Sequence, residues 1–172
     1  MPRPATTEHA PYHAGYISLA TGESVTELMR NHSAAIFEFY NALPESKADY
    51  AYASGKWTIK EMLQHIIDSE RIFSYRVLRI ARADKTPLPG FEENDYAAAA
   101  AVSVGKRSMA SLKEELNLLR QSTDAMLASL TPESLQQTGT VNNHTPISAN
   151  AVAFILFGHL LHHKNILEQR YL

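Results

Sequence analysis

The sequence contains no cysteine. Disulfides, zinc ribbons, iron–sulfur clusters and a thiol nucleophile are therefore excluded, and any chemistry must use other side chains. No stretch reaches the roughly 18 apolar residues of a membrane span, and the start, MPRPATTEHAPYHAGY, has no charged segment followed by an apolar run. The expectation is a soluble cytoplasmic protein with no membrane partner. An excess of positive charge is missing as well. The 16 Lys+Arg against 18 Asp+Glu give a formal net charge of -2, which offers no general basic field to nucleic acid. Strand signals are almost absent. So are E-x-x-H, the paired motif of di-iron carboxylate bundles, and H-E-x-x-H. No G-x-S-x-G, P-loop or G-x-G-x-x-G occurs to support a serine hydrolase, a phosphate cradle or a dinucleotide site.

What is present is 172 residues, 45% hydrophobic and 20% charged. That is long enough for one buried core and too short for two ordinary domains, so residues 1–172 read as a single domain. Glycine and proline cluster in Pro2 to Gly22, Thr86 to Gly90 and Thr131 to Pro146, and between them apolar residues recur at helical spacing. Residues 1–20 are expected to form an N-terminal arm wrapping the surface. A first helix is expected from Glu23 to Leu43, ended by Pro44. The second has the sharpest start, because Thr58 followed by Glu61 fits a capping box, and should run to about Ala83. Asp84 to Tyr96 (DKTPLPGFEENDY) reads as a long loop, a crossover or a lid in which Phe91, Asp95 and Tyr96 either cover a site or pack the loop down. A third helix should cover Ala97 to Leu130, with an interruption near Val102 to Gly105. The fourth should begin near Ser148 and run to the C-terminus. Four helices of this length predict an all-α bundle.

The histidines are the only concentrated chemistry. On a wheel with His159 at zero, His163 lies at about 40° and Val152, Leu156, Ile155 and Ile166 lie within about 60°, so two histidines occupy the middle of an apolar stripe. A pair one turn apart on one face can chelate a metal, although two hydrogen-bonded core histidines would look the same. His162, at about −60°, is the weaker candidate at the helix edge. A third ligand from another helix would strengthen the metal case, and His65 on the second helix is the obvious one. His9 and His13 lie in the arm, His32 in the first helix and His144 in a loop. Three histidines with an open fourth position are the coordination of a catalytic zinc-type site.

On the His65 wheel Glu70 falls at about 140°, between Leu63 and Val77, aimed at the core. It needs a partner, and Arg170 on the inward stripe of the fourth helix is one choice. A structural ion pair and a proton-transfer role beside the metal both remain open. Arg76, at about 20°, could meet an anionic substrate or snorkel to solvent. Arg71, Arg79, Arg82 and Lys85 make this helix end basic, as cations at a helix C-terminus often are. Trp57, directly before the cap, looks like a hydrophobic staple.

The run YASGKWTIKEMLQHIIDSERIFSYRVLRIARADKTPLPGFEENDY, followed by GHLLHHKNILEQRYL, resembles the DinB/YfiT-like family of metalloenzymes over nearly the whole chain. The resemblance implies a four-helix bundle of up-down-down-up type with a long crossover between the second and third helices, often dimeric. It also implies one divalent metal, zinc or nickel foremost with iron or manganese as further options, on three histidines that fall here on His65, His159 and His163. Some relatives look like thiol-dependent transferases or an isomerase, which implies a low-molecular-weight thiol cofactor and a small-molecule substrate. The leading expectation is an enzyme whose metal activates water or such a thiol. The rival is a non-catalytic, metal-binding or stress-related dimeric scaffold. Imidazole suits zinc, nickel, copper and iron alike, so the ligands do not choose the metal.

Overall fold

In the computed structural model, which describes residues 1–142 and 146–172, helices begin where the sequence supplies oxygen caps. The Thr58 hydroxyl accepts from the Glu61 backbone N–H, and the Glu61 carboxylate accepts from the Thr58 N–H at 2.7 Å. Ser24, Ser108 and Ser148 each accept from the N–H three residues on. Such caps satisfy donors that the helix itself leaves orphaned and contribute about 1 kcal/mol each. The helices are α1 (Ala14–Leu19), α2 (Val25–Ala42), α3 (Ile59–Ala81), α4 (Glu93–Gly105), α5 (Met109–Ala128), α6 (Pro132–Gln136) and α7 (Ala149–Arg170). The strands β1 (Thr138–Gly139) and β2 (Ile147–Ser148) pair antiparallel ahead of α7.

The long helices α2, α3, α5 and α7 form the bundle, with α5 and α7 each packed against both α2 and α3. Gln64 meets Arg107 just before α5, and Arg71 meets Glu115, so α3 and α5 run parallel. His65 meets His163 while Phe73 meets His159, so α7 runs antiparallel to α3. His32 lies by Phe157 and Phe39 by Lys164, which makes α2 parallel to α7. The order is up-down-down-up. Parallel α3 and α5 require a crossover, which residues 82–92 and α4 supply. Within it Leu88 is fixed by backbone hydrogen bonds to Thr140 and Asn142, both 2.9 Å.

Two expected boundaries shift. The third helix is two helices, broken at residues 106–108 where Ser108 caps α5. The crossover loop ends four residues early because Glu93 and Asp95 enter the first turn of α4, where a helix favours acids. The arm, in turn, is folded: α1 packs on α7, and Ala10, Ile17 and Ala20 are buried. Arg3 donates to the carbonyls of Ile17, Ala20 and Gly22 and lies over Phe154. A Cβ on Gly158 would clash with the Tyr16 carbonyl oxygen, so glycine is what lets α1 and α7 approach.

The core sits around α7. Its residues Ala149 through Leu160 are all buried, as expected of a helix that is apolar all round and therefore has no solvent face to offer. Leu63, Ile66 and Ile67 of α3 and Leu28, Ile36 and Tyr40 of α2 belong to one buried cluster with Phe154 and Phe157. The Tyr40 hydroxyl donates to the Leu160 carbonyl at 2.7 Å. Among the described residues no helix is long and apolar enough to cross a membrane.

Candidate metal centre

His65 lies in the second turn of α3, and antiparallel packing sets it opposite His159 and His163, one turn apart on α7. The three Nε2 atoms form a nearly equilateral triangle, with separations of 3.0 Å for His65–His159 and 3.1 Å for each of the other two pairs. Three neutral imidazoles cannot satisfy such a triangle by hydrogen bonds. Each Nε2 carries either a proton or a lone pair, so at least one edge must join two lone pairs or two N–H groups. A cation shared by three lone pairs removes that conflict. An ion bonded to imidazole at roughly 2.0–2.1 Å can touch all three corners of a triangle whose edges are no longer than about 3.5 Å, and these edges are shorter. The residues therefore fit a divalent ion. Among the described residues no fourth ligand-type side chain joins the group.

Burial also prepares the lone pairs. The histidines are 5%, 5% and 7% exposed. Loss of hydration pushes the His65 imidazole down to about 4 and His163 to about 3, with neighbouring histidines adding to each shift, and holds His159 well below its ordinary value. All three are neutral near pH 7. Aromatic rings screen them: Trp57 lies 4.8 Å from His65, Phe73 5.5 Å and Tyr16 5.8 Å from His159, measured between centroids. Trp57, expected as a staple, thus packs on the first histidine. His163 Nδ1 has no hydrogen-bond partner among the described residues.

His159 also lines a cavity of about 340 Å³ bounded by α1, α3, the crossover and the segment around β2. Its walls are mixed: Phe73, Phe91, Val152 and Ile155 are apolar, whereas Tyr16, Ser69, Arg76, Glu92 and Glu93 bring polar groups. Burial and the Glu93 carboxylate raise the Tyr16 phenol above its usual range.

The other singled-out residues separate clearly. Arg76 is buried on the cavity wall rather than extended into solvent. His162 is half-buried outside the triangle, edge-on to Tyr16. Glu70 is buried, but its partner is Arg120 of α5 at 2.6 Å, not Arg170. Burial pushes its carboxyl upward and Arg120 opposes the shift. Arg170 is exposed over Tyr52, because α7 by then has run past the point where antiparallel α3 begins. In the crossover, Phe91 faces Arg76 while Asp95 and Tyr96 stay exposed. His144 lies outside the described residues. Sequence reasoning missed the arm as a wall of the site. The available signal was Gly158, a lone glycine inside an apolar helix, which marks a close backbone approach.

A model of the DinB superfamily matches residues 28–167. The solved structures similar to this chain include one described as YfiT from Bacillus subtilis, a probable metal-dependent hydrolase with an unusual four-helix bundle topology. It superposes with a TM-score of 0.65 at 17% identity, covering 97% of this chain and 91% of that one. No curated protein matches the sequence.

Proposed function

This chain belongs to the DinB superfamily, and with that as premise we propose that it is a metal-dependent enzyme in which His65, His159 and His163 hold one divalent ion beside the cavity. The Nε2 triangle carries the proposal, because its three edges cannot all be hydrogen bonds. Zinc and nickel lead as occupants, with iron or manganese behind them. When bound, such an ion supplies a Lewis acid that draws the pKa of water or of a small thiol toward neutrality. The chain's own residues do the rest. Trp57, Phe73 and Tyr16 keep bulk water from the imidazoles. The exposed Glu93 carboxylate at the mouth is placed to exchange protons with solvent.

Hydrolysis of a small-molecule substrate is the preferred reaction, supported by the similarity to YfiT. Thiol transfer is the second reading, and with no cysteine in the chain its thiol would have to be a separate small molecule. Assays of activated esters and of alkylating electrophiles, each with and without added thiol, distinguish the two. The metal site is tested by elemental analysis of untagged protein purified without chelator, beside His65→Ala and His159→Ala/His163→Ala. We expect close to one ion per chain in the wild type and its loss in both variants, with helical circular dichroism retained. Full stoichiometry in His65→Ala would remove the three-ligand assignment. A cytoplasmic homodimer is the accompanying expectation, and light scattering tests its oligomeric state.

A further inference from the structure

On α3 the residues His65, Ser69, Phe73 and Arg76 follow one another at spacings of four, four and three, so they share a face. The last three line the same cavity as His159. Arg76 is only 9% exposed. Its Nη2 donates to the Pro89 carbonyl at 2.8 Å, and its guanidinium lies over the Phe73 and Phe91 rings at 5.9 and 5.7 Å. No carboxylate among the described residues pairs with it, and Asn143, His144 and Thr145 include no acid. Arg120, the other deeply buried arginine, has both Glu70 and Asp124. A buried cation without an anion is costly unless a ligand supplies one. A second polar group on the same wall is also unsatisfied: Ser69 is 0% exposed and its Oγ has no hydrogen-bond partner.

We propose that the cavity receives a small organic acid, its carboxylate held by Arg76 and Ser69 and its other end turned toward the three histidines. The turn toward the histidines rests on the metal-site reading above; the acid-binding half does not. A carboxylate is favoured over a phosphate for two reasons. One guanidinium with an edge already given to Pro89 can still grip two carboxylate oxygens, but it is a poor match for a dianion. Glu92 and Glu93 at the same cavity would also repel the second charge. Phe73, Val152 and Ile155 give the acid an apolar middle, and the Phe73 ring, 5.5 Å from His159, joins the two polar ends.

The test is a titration of zinc-loaded protein with hexanoate and with its neutral isostere hexanamide, followed by amide NMR shifts and repeated on metal-free protein. The expected result is a preference for hexanoate of about tenfold or more in both metal states, as a charge-assisted pair would give. In Arg76→Gln it should fall to within about twofold, and in Arg76→Lys part of it should remain. Ser69→Ala should weaken hexanoate and leave hexanamide unchanged. Equal affinities, no binding of either compound, or a preference that survives in folded Arg76→Gln would overturn the acid site. So would a preference confined to zinc-loaded protein, since the carboxylate would then be a metal ligand. If Arg76→Gln does not fold, the wild-type ratio and the Arg76→Lys and Ser69→Ala variants decide. Metal content measured on the same samples separates the two readings, because a hexanoate preference in protein that never takes up metal upholds the acid site and removes the metal one.

Discussion

Glu70 and Arg120 meet at 2.6 Å with side chains 1% and 6% exposed, so the carboxylate depends on the guanidinium to remain ionised in the interior, while Arg120 also pairs with Asp124. Arg120→Met leaves the carboxylate without its cation and should lower stability by about 3–5 kcal/mol, whereas the double variant Arg120→Met/Glu70→Leu should recover most of that loss. Urea unfolding of the wild type, Arg120→Met, Glu70→Leu and the double variant completes the cycle. The site histidines make a different prediction, about pH. In metal-free protein their depressed values, about 4 for His65 and about 3 for His163, return to about 6.5 on unfolding. Between those values the unfolded chain binds more protons, so stability is fully present above about pH 6.5 and is lost as pH falls toward about 3. Thermal melts of metal-free protein should therefore fall from pH 7 to pH 5, and those of His65→Gln should fall less. His159 and His163 were legible in the sequence because they repeat at one-turn spacing on an apolar face, and His65 because it borders the core stripe of a second long helix. Arg170 misled because a wheel records angle and not depth: it lies nearly two turns beyond His163, where no facing helix remains. Arg120 could have been found as the polar residue one turn from Leu116 on the buried face of α5.

At the scale of elements, the placing of α1 depends on Gly158. A methyl group there would strike the Tyr16 carbonyl, so Gly158→Ala should push α1 from α7 at a cost of about 1–3 kcal/mol. Tyr16 would then withdraw from His159. Gly15 is the control, since a Cβ on it meets nothing within 4 Å and it lies inside α1 at no unusual φ. Gly15→Ala should raise stability by roughly 0.5–1 kcal/mol. Opposite shifts in Tm from the same chemical change, on facing helices, would establish that the effect is steric. The capped helices α3 and α7 were readable from Thr58, Glu61 and Ser148, because caps are local chemistry. The helix in the arm was hidden, since Ala14–Leu19 is too short to show a period and is held by packing on α7.

For the whole molecule, the buried apolar core of α2, α3, α5 and α7 is continuous and does not include the three histidines, in contrast to small domains that fold only around their metal. Chelation should leave the helical circular dichroism at 25 °C unchanged. If the ion is present at about a thousand times its Kd, its removal should lower Tm by roughly 10 °C, reflecting about 4 kcal/mol of linkage. Unfolding on chelation would instead favour the structural scaffold. The bundle was legible as four long periodic segments, but their up-down-down-up order was legible only through the family resemblance, because helical periodicity defines faces and not neighbours. The pairing of Arg71 with Glu115 and of His65 with His163 sets α3 against α5 and α7, and His32 beside Phe157 sets α2 against α7. The histidine triangle has a further consequence, in time. His65 and His159 are 94 residues apart in the chain, and α7 follows every other helix in sequence order. A growing chain that has not yet produced α7 holds one donor of the three, too few to compete for an ion. Metal is therefore acquired late, by molecules whose last helix has already docked, and occupancy in a purified sample counts the chains that finished folding.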